Sequence, residues 1–125
     1  SKWSIEKSQN WYNQNNWIVG CNYLPSNAIN QLEMFQKETF DAEINKKELS
    51  WARQLGFNSV RVYLHDLLWA DPIGFSERLN ILLDICASLA TSCIVTSPYP
   101  LARNAFPAAS RIFSRRCERE GTVDL

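Results

Sequence analysis

From Gly56 to Asp66 the chain reads Gly-Phe-Asn-Ser-Val-Arg-Val-Tyr-Leu-His-Asp, and four of these residues carry chemistry. Arg61 is a permanent cation whose donors form a fixed fork. Tyr63 offers a ring and a hydroxyl, His65 an imidazole, and Asp66 a carboxylate. Side chains alternate along a strand. A strand here therefore places Val60, Val62 and Leu64 on one face and Arg61, Tyr63 and His65 on the other. A buried guanidinium cannot be neutralised, so Arg61 calls for an acceptor. That acceptor is either a local acid such as Asp66 or a carboxylate brought from elsewhere in the fold. Two further candidates flank the segment. Asn22 closes an earlier apolar run, where it can bind a ligand or simply form a turn. Trp69 can wall a flat ring such as a pyranose or pack on a helix.

The elements that must hold these residues are legible in the spacing. Trp17-Ile-Val-Gly-Cys-Asn-Tyr23 is a short apolar run, which predicts a buried strand. Residues 3–16 are polar and read as a surface lead-in with at most one short helical turn. Residues 25–30 form a polar loop, and residues 31–40 fit either loop or a short helix. Asp41 is an N-cap candidate with Glu43 in the first turn. Ile44, Trp51, Ala52 and Leu55 then fall on one helical face. Gly56 is suited to a C′ position, with Phe57 supplying the hydrophobic contact of a Schellman ending. Asp71-Pro72 opens another helix. In it Phe75, Leu79, Leu82, Cys86 and Leu89 recur at spacings of four, three, four and three, and Leu83 widens the stripe. Cys93-Ile-Val-Thr96 can form a third strand, which Pro98 and Pro100 stop. Strand, helix, strand, helix in this order predicts an α/β fold with parallel strands and helical crossovers. In such folds ligands gather at the carboxyl ends of the strands.

Composition narrows the function classes. The chain has 125 residues, within reach of one small domain, and 46 % apolar residues. Thirteen basic residues balance thirteen acidic ones, which argues against a nucleic-acid partner. No apolar run reaches the length of a membrane span. Four cysteines without a Cys-x-x-Cys pair, and a single histidine, argue against a zinc site. The expectation is four thiols, mostly buried. There is no Gly-rich phosphate loop and no Ser, Cys or His arrangement of a nucleophilic hydrolase. No cofactor is implied. With neither an initiator Met nor a signal segment, the chain reads as processed or cut from something longer.

The residue strings WIVGCNYLPSNAINQLEMF, Trp17–Phe35, and LGFNSVRVYLHDLLW, Leu55–Trp69, resemble the opening of retaining glycoside hydrolases built on a TIM (β/α)8 barrel. The similarity is to family-5-like proteins of the cellulase and β-1,4-xylanase type, and it covers about residues 3–87. It implies two to three N-terminal β/α units of an incomplete barrel within residues 1–90. The implied partner is a β-linked polysaccharide or oligosaccharide, glucan or xylan. Two glutamates from the fourth and seventh strands would do the chemistry, so the resemblance assigns no catalytic residue to this chain. It implies that Arg61 lies beside the nucleophilic glutamate. It places His65, Asp66, Asn22 and Trp69 where a sugar would be bound. It also favours secretion or periplasmic export of the parent enzyme.

Residues 91–125 depart from that pattern. Residues 88–125 hold five Arg and no Lys, against five Lys and three Arg before them. The tail has one Asn and no Trp, against ten and five. That shift predicts a frameshifted or disordered tail, with Arg111–Cys117 as a short basic helix or a solvated segment. A barrel needs about 250 residues. The chain alone is therefore expected to be poorly stable and inactive on glycosides. The competing reading is a non-catalytic carbohydrate-binding protein that stacks sugars on Trp and Tyr.

Overall fold

The computed structural model describes residues 3–96; the tail discussed above lies outside the described residues from position 97 onward. The fold is α/β. Three strands, β1 (Gly20–Asn22), β2 (Ser59–Tyr63) and β3 (Ser92–Thr96), form one sheet in the order β1-β2-β3. Both pairings are parallel, with Asn22 opposite Arg61 and Arg61 opposite Ile94. Helices α2 (Gln31–Phe35) and α3 (Ala42–Gln54) cross from β1 to β2. A 3-10 turn at Asp66–Ala70 and helix α4 (Pro72–Ser88) cross from β2 to β3. Helix α1 (Ile5–Gln14) precedes the sheet.

Local chemistry sets the helix ends. The Asp41 carboxylate accepts from the N–H groups of Glu43 and Ile44 at 2.9 and 3.0 Å, which satisfies orphan donors at the start of α3. At its end Gly56 has φ 96°, a conformation open to glycine. Gly56 N–H donates to Arg53 C=O and Phe57 N–H to Ala52 C=O, the two bonds of a Schellman ending. Asp71 caps α4 through Gly74 N–H at 3.1 Å and pairs with Arg78 at 3.2 Å. The Gly74 bond first, then Arg78, holds the Asp71 carboxyl below the usual carboxylate range. Arg78 also donates to Phe35 C=O, which ties α4 to α2.

The core lies between the sheet and the helices. Val60, Val62 and Leu64 meet Met34 and Phe35 of α2, Leu49 of α3, and Phe75, Leu79, Leu82 and Cys86 of α4. The Phe75 ring meets Phe35 edge-on at 5.5 Å and Trp69 edge-on at 5.0 Å. The α4 stripe matches the sequence spacing, with Leu83 and Leu89 at its fringe.

Four expectations are corrected. The run at 17–23 is not a buried strand: only Gly20–Asn22 pairs, and all three residues are exposed. As the edge strand, β1 lacks a neighbour on one side among the described residues. Helix α1 spans ten residues rather than one turn, yet none of them is buried. Its start is fixed by the Ser4 cap on Lys7 N–H, a signal independent of hydrophobic period. The buried residues of α3 are Asn45 and Leu49, whereas Trp51 and Leu55 are 52 % and 78 % exposed. The true inner face is centred on a polar residue, which a hydrophobic count passes over. Finally, Cys86 is buried but Cys21 is exposed and Cys93 only half-buried; Cys117 lies outside the described residues.

Candidate functional site

Alternation along β2 puts Ser59, Arg61 and Tyr63 on the face opposite Val60 and Val62. The register adds Asn22 from β1 and Ile94 and Thr96 from β3. Ser59, near the start of the strand, is buried. Toward the carboxyl ends Ile94 is 41 % exposed, while Arg61 and Tyr63 are half-buried and Asn22 is exposed. This face therefore opens to solvent, in contrast to the closed core face.

Arg61 is the centre of the site. Its Nε donates to Asn22 Oδ1 at 2.8 Å, across the register pair that joins β1 and β2. Its guanidinium carbon stands 4.9 Å from the Tyr63 ring centroid, an attractive cation–π distance. Neither ion pair among the described residues involves Arg61. Asp66 is not its partner: Asp66 Oδ1 lies 2.7 Å from His65 Nδ1. The guanidinium is thus held at one edge by a neutral amide and supported by a ring. Its Nη groups donate to no protein acceptor among the described residues.

His65 does not extend the Arg61–Tyr63 face as strand alternation predicts. Strand β2 ends at Tyr63, and His65 becomes the N-cap of the 3-10 turn. Its Nδ1 lies 3.2 Å from Leu67 N as well as 2.7 Å from Asp66 Oδ1. An unprotonated Nδ1 accepts the Leu67 N–H; a protonated one donates to Asp66. The pair braces the loop at the strand end. Trp69 takes the packing role through its contact with Phe75.

Two features escaped the sequence reading. Asn58 clamps the entry to β1: its Nδ2 donates to Trp17 C=O at 2.9 Å and its Oδ1 accepts from Val19 N–H at 2.8 Å. Gly20 completes that approach, because a Cβ there would collide with the Ser59 carbonyl. The second feature lies on the helix side. Tyr23 hydroxyl donates to Asn45 Oδ1 at 2.8 Å and approaches Glu48 Oε2 at 3.3 Å. Asn45 Nδ2 donates in turn to Asp41 C=O at 2.8 Å, and Glu48 accepts from Ser26 N–H. This network anchors the end of β1 to α3, and with it the backbone that presents Asn22. A Tyr six residues after Trp17 and an Asn four after the Asp41 cap carry no motif that marks their meeting.

Burial first, and then the negative charge of Glu48, hold the Tyr23 hydroxyl well above the ordinary tyrosine value. Unfolding returns it to about 10, so the unfolded chain releases this proton first. Its contribution to stability is complete below about pH 10 and is lost progressively as pH rises above that. Tyr23→Phe should accordingly flatten the alkaline fall in stability, at the cost of a hydrogen bond at neutral pH. Urea midpoints measured from about pH 8 to about pH 11 check this. An alkaline fall as steep in the variant as in the parent contradicts it.

In comparisons of this chain with protein-family models, with curated proteins and with solved structures, no match was found.

Proposed function

We propose that this chain is the N-terminal portion of a retaining glycoside hydrolase, two to three β/α units of a TIM barrel of the family-5-like cellulase or β-1,4-xylanase type. The complete protein would act on β-linked glucan or xylan. One observation carries the reading: Arg61 stands in the middle of β2, oriented by Asn22, on the solvent-facing side of a parallel sheet, with no carboxylate paired to it among the described residues. Parallel sheets normally have both faces covered, and a barrel covers the second face with its own opposite wall. A guanidinium on that inner face is placed to hold a glutamate from a later strand in its ionised form and in one orientation.

Retention requires two carboxyl groups about 5–5.5 Å apart, one attacking the anomeric carbon and one serving as acid and then base. The glutamates of the central region do not serve this purpose. Glu48 is engaged by Tyr23 and Ser26, and Glu33 by Ile29 N–H. Glu38 and Glu43 are exposed, beside α2 and in the first turn of α3. None is on a strand. Arg61 and Asn22 would thus position the nucleophile, and His65 and Asp66 would shape the loop at the sugar-binding end.

The test has two parts. The coding DNA, read onward in each frame, should continue into further strand–helix units that supply two strand-end glutamates. The purified 125-residue chain should release no reducing sugar from glucan or xylan. Absence of such a continuation in every frame, or measurable hydrolysis by the short chain, contradicts the proposal. The second reading, saccharide stacking without catalysis, is favoured by a different observation: Trp17 is 81 % exposed just before β1. Saccharide binding that is lost on Trp17→Ala but kept on Arg61→Ala would select it.

A further inference from the structure

We infer that this chain on its own binds acidic saccharides, with the carboxylate of a uronic acid occupying the Nη edge of Arg61. The inference rests on the proposal that this sheet face meets sugar, and it names the class of sugar that the short chain takes. Arg61 is already oriented. Its Nε is fixed on Asn22 Oδ1 at 2.8 Å, and its plane is supported by Tyr63 at 4.9 Å. Little side-chain freedom is left to lose on binding, which favours affinity. Its two Nη groups have no protein acceptor among the described residues.

Among the described residues no carboxylate is paired with that cation. The carboxylate closest in sequence, Asp66, is directed to His65 Nδ1 at 2.7 Å and not to Arg61. Tyr63 and Asn22 on the same face, and Ile94 and Thr96 opposite, bring no carboxylate to it. A neutral sugar offers this edge only hydroxyl oxygens. A uronate offers two oxygens in the geometry that a guanidinium meets bidentately, and such charge-assisted bonds are about twice as strong as neutral ones. Asn22 and Tyr63 remain beside the cation to meet the hydroxyls and the flank of the pyranose. Simple carboxylates share the charged group but lack the ring, so sugar and free acid are separable.

The experiment is calorimetric titration of the full 125-residue chain with three probes. These are a disaccharide bearing one uronate, its neutral counterpart with a hydroxymethyl group in place of the carboxylate, and acetate. The uronate disaccharide should bind about tenfold tighter than the neutral one. Arg61→Gln should erase that difference, and Arg61→Lys, which keeps the charge without the fork, should retain part of it. In the parent chain the preference should shrink as NaCl rises from about 50 mM to about 500 mM, because an exposed pair is screened. This salt series decides the matter even where Arg61→Gln does not fold. Equal binding of the acidic and neutral disaccharides, or a preference that survives Arg61→Gln or high salt, overturns the inference while leaving the glycosidase proposal in place. Acetate binding as tightly as the uronate disaccharide overturns the assignment to sugar. Binding of neither disaccharide contradicts the inference together with the saccharide-facing role of the sheet on which it rests.

Discussion

Phe75→Ala is expected to remove cooperative folding. Phe75 is fully buried, and its ring is the middle member of a chain of three, edge-on to Phe35 at 5.5 Å and to Trp69 at 5.0 Å. It joins α4, α2 and the 3-10 turn in one contact, beneath the core face of β2. Truncating a buried Phe costs about 3–5 kcal/mol, with each lost aromatic pair adding roughly 0.5–1.5 kcal/mol. Whole domains are stable by only about 5–15 kcal/mol, and a small open sheet with an edge strand as short as β1 belongs near the lower limit. The loss therefore consumes most of the available stability. Near-ultraviolet circular dichroism and urea unfolding report it: a flat near-ultraviolet spectrum and no sigmoidal transition are expected. Trp51→Ala provides the contrast, because Trp51 is 52 % exposed and contacts Lys47 at 5.0 Å. It should cost less than about 1 kcal/mol. A Phe75→Ala chain that unfolds cooperatively within about 1 kcal/mol of the parent would show that the core is organised around other residues.

Arg61→Ala carries the second large effect, on binding rather than on folding. Arg61 is half-buried and makes one side-chain hydrogen bond, to an exposed Asn22. Its removal leaves no buried partner unsatisfied, so the change in stability should be small. A ligand at the strand ends loses a charged donor set with a preset orientation. Hydrogen bonds to charged groups contribute about 1.5–3 kcal/mol, which corresponds to a fall in saccharide affinity of roughly ten- to a hundredfold. Asn22→Ala should weaken binding less, since it frees the guanidinium without deleting it. A parent-like affinity in Arg61→Ala places the binding surface elsewhere, with Trp17 the first alternative.

The sequence exposed the helix ends and the strongest apolar stripe more readily than the sheet. Asp41, Gly56 and the Asp71-Pro72 pair act through their immediate neighbours in the chain, so their roles follow from local chemistry. The stripe from Phe75 to Cys86 has no polar interruption and lies where its spacing places it. Asn45 broke the same logic in α3, because its burial depends on a hydroxyl 22 residues away. The length of β1 was hidden for a related reason: Asn58 and Gly20 determine how it enters the sheet, and the Asn58 contacts span 39 and 41 residues. Within the candidate site, alternation along β2 correctly separated Arg61 and Tyr63 from Val60 and Val62. It failed at His65, because the strand stops at Tyr63 and the imidazole turns to cap the next element. Asn22 as a partner of Arg61 follows only from register, which is set by pairing between strands and not by either strand alone.

The central claim is that the solvent-facing side of this sheet, around Arg61, is built to meet saccharide. Nitrogen-edited nuclear magnetic resonance tests it most directly, by following the Arg61 Nε–H and the Asn22 side-chain amide while a neutral β-1,4-linked glucan or xylan oligosaccharide is titrated into the 125-residue chain. The account predicts saturable shifts at Asn22, Arg61 and Tyr63, with the helix-side network of Tyr23, Asn45 and Glu48 undisturbed. Shifts confined to Trp17 or Trp51, or no shifts at any concentration of sugar, would contradict it.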